Sequence, residues 1–250
     1  MNASVPLSPR LRLCAELVVP GSRVCDIGCD HGYLGISLLL SGAAASVIAA
    51  DVREKPLRRA MENAERFGVG DAMTFVLSDG LDRIPPSSDC TVVAAGLGGD
   101  AIADIVERCD WVRSTDCTLV LQPQSSGNDL RRRLSRDGWR IEQERLVKDK
   151  GFVYSAMVCR YGGGRPLTPG EQYISPALLC EPAVLLEEYA SHVLHGLTKA
   201  VEGLRRSGQE KDRLRLDYYQ TALREVREML SGQRAVDPKA GIRRDMSCVF

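Results

Sequence analysis

Five short apolar runs recur along the first half of the chain: RVCDIG (23–28), SVIAAD (46–51), MTFVLSD (73–79), CTVVAAG (90–96) and CTLVLQP (117–123). Helical segments lie between them near 32–40, 54–67, 99–108 and 126–137. Each run is apolar at consecutive rather than alternate positions, so both of its faces must be buried. A strand buried on both faces belongs in a parallel sheet covered by helices on each side, the α/β doubly wound arrangement. Two further strands, WRIEQERLV (139–147) and FVYSAMVCRY (152–161), are joined only by KDKG. So short a link cannot carry a parallel crossover and dictates an antiparallel hairpin. The expected sheet is therefore five parallel strands plus that hairpin. Ahead of it, Ser8-Pro9 supplies a hydroxyl cap and a proline at the first helical position, with Leu11, Cys14, Leu17 and Val18 as the apolar stripe.

Residues 32–50 carry no charge before Asp51, and their length alone would admit a membrane span. Ser41-Gly42 breaks the run into a buried helix, YLGISLLL, and a β-branched strand ending on an acid. After Gly162-Gly163-Gly164 and Pro166 the pattern changes, which places a boundary between a first domain over 1–162 and a second over 170–232. In the second, Leu186, Ala190, Val193, Leu197, Ala200 and Leu204 form one seam of alternating four- and three-residue spacing, and Leu216, Tyr219, Leu223, Val226 and Leu230 form another. With Ser207-Gly208 as the turn, they predict an antiparallel helical hairpin, a short coiled coil. Residues 233–250 show no period and read as a loose tail.

A chain of 250 residues with 44% hydrophobic content suits one sizeable core plus a small appendage and excludes wholesale disorder. Thirty-three basic residues balance 33 acidic ones, which argues against a uniformly basic coat. Nine scattered cysteines and an N-terminus without the basic-then-apolar pattern of a secretory signal point to a reduced, cytoplasmic protein.

Ligands of an open α/β sheet bind beyond the carboxyl ends of its strands. Those ends carry Asp26-Ile-Gly-Cys-Asp-His-Gly32, Asp51-Val52, Ser78-Asp79-Gly80, Gly96-Leu-Gly-Gly99 and Gln122-Pro123-Gln124. The first loop lacks the G-x-G-x-x-G spacing that brings backbone against a pyrophosphate, which disfavours a nicotinamide-dependent oxidoreductase. Asp26, Gly28 and Gly32 instead resemble the D-x-G-x-x-x-G skeleton of class I S-adenosylmethionine methyltransferases, whose ligand offers an amino acid and a sulfonium. Asp51 is placed to accept from ribose hydroxyls and Asp79 from an adenine amino group. Each acid alone reads as a turn or cap residue; three in register with successive strand ends read as a cofactor site. Asp30 places a carboxylate where such loops commonly have glycine. His31, one of three histidines, sits beside it. Cys25, Cys29 and His31 do not form a metal site, because Cys25 belongs to the strand and no second cysteine pair completes the ligands.

The string LSPRL…VCDIGCDHGYLG…AADV…SDGL…AAGLGGDAI…LVLQPQSSGNDLRRRL…GFVY resembles the bacterial TrmK family of tRNA adenine-22 N1-methyltransferases. The resemblance covers the whole first domain, and the helical hairpin matches the family's C-terminal coiled coil. Its most specific parts are Asp30-His31 within DIGCDHGYL, Gly96-Leu-Gly-Gly99 and Leu121-Gln122-Pro123. Cys29, Leu97, Gln124 and Ser155 depart from the residues usual there. The resemblance implies a Rossmann-like fold, S-adenosylmethionine as cofactor and tRNA as partner; from the residues themselves no metal and no membrane are expected, and a monomer is the expected state. It assigns cofactor binding to Asp26, Gly28, Gly32, Asp51, Val52, Asp79, Gly80 and Gly96, and catalysis to Asp30 with His31 in a lesser role. Adenine N1 has an in-plane lone pair, so transfer needs placement, not deprotonation, and a nearby carboxylate stabilises the charged product. Gly96, Gly98 and Gly99 would let backbone approach a flipped-out base, with a tight turn as the plainer alternative. Gln122 and Pro123 join Gly98 and Gly99 as expected substrate contacts.

A tRNA partner needs a basic surface. From Arg131 to Arg165 there are ten Lys/Arg against four acids, and Arg131, Arg132, Arg133, Lys148 and Lys150 are the expected phosphate contacts. Arg205, Arg206, Lys211, Arg213 and Arg215 cluster at the tip of the helical hairpin, which reads as a second arm on the tRNA. Two other readings stay open: a methyltransferase of this fold acting on another RNA site or substrate, and a non-catalytic RNA-binding relative.

Overall fold

A computed structural model describes residues 5–87, 89–114, 116–207 and 209–235. Helix α1 (Pro9–Leu17) starts on the Ser8 cap, whose hydroxyl accepts from the Leu11 amide. There follow β1 (Ser22–Ile27), α2 (Tyr33–Leu40), β2 (Ala44–Asp51), α3 (Glu54–Arg66), β3 (Met73–Leu77), β4 (Cys90–Gly98), α4 (Gly99–Glu107), β5 (Cys117–Ser125), α5 (Gly127–Arg136), β6 (Trp139–Asp149) and β7 (Phe152–Tyr161). The uncharged stretch resolves as expected into α2 and β2. No helix among the described residues is long and apolar enough to cross a membrane.

The seven strands form one sheet in the order β3-β2-β1-β4-β5-β7-β6. The first five are parallel, β7 runs antiparallel to β5, and β6 pairs antiparallel with β7 from Trp139↔Tyr161 to Asp149↔Phe152. The order reverses between β1 and β4, and a crevice opens at such a switch point. Helices α1, α2 and α3 cover one face, packing Leu13, Cys14, Leu34, Leu57 and Ala60 on Val24, Ala49 and Val93. Helices α4 and α5 cover the other, packing Ile102, Val106, Leu130 and Leu134 on Cys25, Val92 and Leu119.

The C-terminal part is α6 (Ala183–Ser207) and α7 (Arg213–Ala235), joined through a 3-10 turn at Glu210–Asp212. Gly208, expected in the turn, and residues 236–250 of the expected tail lie outside the described residues. The hairpin is docked: Leu186, Ala190, Leu197, Ala222 and Val226 bury against Ile174 and Leu178 of the connecting segment and Leu146 of β6. Beyond Leu197 the seam shifts by one residue from the expected one, with Val201 rather than Ala200 buried.

Candidate active site

The loop after β1 turns sharply enough that Gly28, Asp30 and Gly32 all take positive φ, 72°, 48° and 72°. Gly32 has a second constraint, since a Cβ there would lie 2.9 Å from that of Ala60 on α3. The loop closes the floor of a cavity of about 580 Å³. Asp26, Gly28, Asp30, His31, Asp51, Val52, Asp79, Gly80 and Gly96 all line it. Sequence reasoning missed Arg10, Leu11, Tyr33, Arg53, Ala101 and Ile105 as further lining residues. Arg10 had left a signal: it lies one turn before Cys14 and two before Leu17, a charge on the apolar stripe of α1.

The four acids differ sharply in environment. Asp26 is buried; the Gly35 amide donates to its carboxylate, yet Oδ2 has no hydrogen-bond partner among the described residues. Burial, reinforced by the neighbouring Asp51 charge and opposed by the Gly35 bond, pushes its pKa up to about 7. Asp51 is equally buried but satisfied: Oδ2 accepts from the Asp30 amide at 3.3 Å and Oδ1 from the Arg53 amide at 2.9 Å. Asp79 is exposed and paired with Arg108 at 3.3 Å. Asp30 presents a carboxylate that is 63% exposed, 3.7 Å from His31 Nε2. The His31 ring stacks on Tyr33, and its carbonyl accepts from Asn63.

An unpartnered buried carboxylate oxygen, a satisfied acid at the next strand end and an exposed acid at the third form a graded anionic wall. Such a wall suits a ligand with an ammonium at one end and hydroxyl and amino donors along its length. Among the described residues, no group of three or more His, Cys, Asp or Glu side chains is arranged to hold a metal.

Residues 7–157, more than half of the chain, match the family described as "Methyltransferase domain". The chain belongs to that family. This methyltransferase is 28% identical over 196 residues to the tRNA (adenine(22)-N(1))-methyltransferase of Bacillus subtilis (strain 168), covering 76% of this chain and 82% of the relative. It superposes on the crystal structure of the Bacillus subtilis m1A22 tRNA methyltransferase TrmK with a TM-score of 0.79 at 25% identity, over 90% of this chain and 99% of that one. A candidate Streptococcus pneumoniae tRNA (m1A22) methyltransferase, solved in complex with S-adenosyl-L-methionine, gives 0.69 at 29% identity over 87% and 97%.

Several expected substrate contacts of the methyltransferase have other work. Gln122 is fully buried; its Oε1 accepts from the Gly96 amide at 3.2 Å and its Nε2 donates to the Pro123 carbonyl at 2.8 Å, so it shapes the loop and is closed to substrate. Gly99 is also buried, and a Cβ there would fall 2.8 Å from the Ser125 carbonyl oxygen, which makes its role the close approach of α4 to the end of β5. Gly98 lies outside the cavity lining, where a Cβ would meet Ser125 Oγ at 3.4 Å.

Arg131 corrects the basic-face expectation most directly. Its guanidinium is buried and forks onto Glu144, with Nη2 at 2.6 Å from Oε1, and donates to the Gln172 carbonyl and to the hydroxyls of Ser155 and Tyr189. Arg132 pairs with Asp129, Arg133 with Asp104 and Glu107, and Lys148 with Glu188. Part of the surplus counted along the sequence is therefore met by acids outside that stretch, Asp129 on the same helix, Asp104 and Glu107 on α4 and Glu188 on α6. Lys150 and Arg136 form no ion pair with a described residue.

Proposed function

We propose that this chain transfers the methyl group of S-adenosylmethionine to N1 of an adenine in tRNA, position 22 by its similarity to the relatives above. The products are N1-methyladenosine and S-adenosylhomocysteine. The observation that carries this reading is the convergence of Asp26, Asp51 and Asp79 from three successive strands on one cavity, with Asp26 Oδ2 left unpartnered. In this reading Asp26 faces the amino group of the methionine moiety, Asp51 the ribose and Asp79 with Gly80 the adenine. When bound, the cofactor supplies an electrophilic methyl on a sulfonium.

The chain's own residues then have to place a base. Asp30, exposed at the cavity and set by its positive φ and by the Asp51 bond to its amide, accepts from the adenine amino group and stabilises the charge that develops on the ring. His31 and Tyr33 hold that carboxylate's side of the mouth. The exposed ion pairs of Arg132, Arg133 and Lys148 are each worth at most about 1 kcal/mol, so RNA phosphates can replace their carboxylate partners. The bacterial cytoplasm, where tRNA is modified, is the corresponding compartment, and a monomer is the working unit.

The deciding experiment compares labelled methyl transfer to an unmodified tRNA transcript with adenine at position 22 and to the same transcript with guanine there, followed by nucleoside analysis. Label in N1-methyladenosine from the first alone is expected. Label in both would move the target elsewhere in the RNA, and label in neither, with cofactor binding intact, would overturn the tRNA reading.

A further inference from the structure

A second cavity, of about 370 Å³, opens beside the donor cavity. Gln124 lines both. The rest of the partition is Tyr154, which faces the second cavity while the Arg10 guanidinium of the donor cavity lies 5.7 Å from its ring. The second cavity is walled by Pro123 from the end of β5, by Phe152 and Tyr154 from the start of β7, and by Tyr189 from α6. Three aromatic residues on two elements therefore surround one space next to the reaction centre, in a chain of only 5% aromatic content.

Two of these walls are fixed from behind. Buried Arg131 donates to the Tyr189 hydroxyl at 3.0 Å and to the Ser155 hydroxyl at 3.1 Å, and both residues line the cavity. Phe152 is different: it is 61% exposed at the tip of the β6–β7 hairpin, its ring edge-on to Tyr154 at 6.5 Å. A single exposed aromatic is unremarkable on a surface, but this one lines a preformed, aromatic-walled space that adjoins the donor cavity. Every nucleobase has a flat π-face, and unstacked RNA bases are bound by stacking on such side chains.

We propose that this second cavity is a nucleobase site, in which Phe152 stacks on an unpaired base next to the adenine that is methylated. The proposal rests on the tRNA reading for its ligand class, and it deepens that reading by adding a subsite to the methyl-transfer centre. An enzyme that draws one base out of a stacked strand must offset lost stacking. A platform for the neighbouring base supplies that and sets the register that brings the target to the methyl donor.

The test uses the full chain and tRNA transcripts carrying 2-aminopurine at the nucleotide before or after the target adenine. Stacking of one of these probes on Phe152 is expected to change its emission on binding in the wild type, and Phe152→Ala to abolish the change. Phe152→Ala is also expected to raise KM for tRNA about tenfold with kcat within about twofold and cofactor affinity unchanged, while Phe152→Trp restores both. Unchanged KM and unchanged emission for Phe152→Ala would overturn the proposal. The emission arm needs only binding, so it decides the subsite even if nucleoside analysis shows no methylation at N1, an outcome that counts against the tRNA methylation reading alone.

Discussion

Asp26 keeps one carboxylate oxygen buried in the donor cavity without a partner, and that orphan sets a pH dependence. With its pKa pushed up to about 7, Asp26 is mostly protonated below neutrality, and an arriving ammonium needs the ionised form. Cofactor affinity should therefore rise as pH climbs through 7, falling about fivefold from pH 7 to pH 6, with a proton released on binding. Calorimetric titration in buffers of different ionisation enthalpy measures both, and Asp26→Asn should flatten the profile. The same raised value means that this group favours the folded state while protonated; its contribution declines as pH rises from the ordinary carboxylate range towards 7. Asp51 and Asp30 should separate kinetically. Asp51→Ala is expected to raise the KM for cofactor with little change in kcat, and Asp30→Ala to lower kcat mainly, as read from initial rates. Equal effects of both on cofactor affinity would contradict that division.

At the scale of elements, the joint between α5, the β6–β7 hairpin and α6 turns on the Arg131–Glu144 pair, both side chains being almost wholly out of solvent. Removing one partner strands the other charge in the interior, so Arg131→Ala should cost about 3–5 kcal/mol in urea unfolding. Replacing both with apolar residues of similar volume should recover much of the loss. The strand and helix positions, the parallel set and the antiparallel hairpin were legible in the sequence because doubly buried strands and connector lengths leave few alternatives, whereas the strand order came only with the fold. Arg131 was not, because three consecutive arginines on a helix look alike until packing turns one of them inward. The seam of α6 and α7 was legible in period and for most of its register, Leu186, Ala190, Leu197 and Val226 being buried as expected; buried Val201 and Ala222 lay off the predicted seam, which periodicity of large residues does not reveal.

For the whole molecule, the helical hairpin shares a core with β6 through Leu146, so its removal would expose Ile174, Leu178 and the partners of Arg131. Charge reversal is the cleaner probe. Glutamate at Arg205, Arg206 and Arg213 near the tip should weaken tRNA binding and flatten the salt dependence of its affinity, while cofactor affinity and unfolding midpoint stay unchanged. Binding measured from 50 to 200 mM salt checks it, and an unaltered slope would remove the hairpin tip from the RNA contact surface.

The sequence by itself determined the fold class, the strand ends at which the main cavity opens and the three acids that line it, because these follow from local rules of burial, connection length and turn chemistry. Only the tertiary structure decided which polar and charged side chains are spent on the protein itself. Gln122 and Arg131 are consumed internally, and the basic stretch from 131 to 165 meets carboxylates such as Asp104, Glu107 and Glu188 from distant parts of the chain. Charge counted along a chain is a one-dimensional quantity, whereas ion pairing and desolvation depend on distances that exist only after folding. The juxtaposition of Phe152, Tyr154 and Tyr189 around one cavity has the same origin, two elements far apart in sequence brought face to face by the docked hairpin.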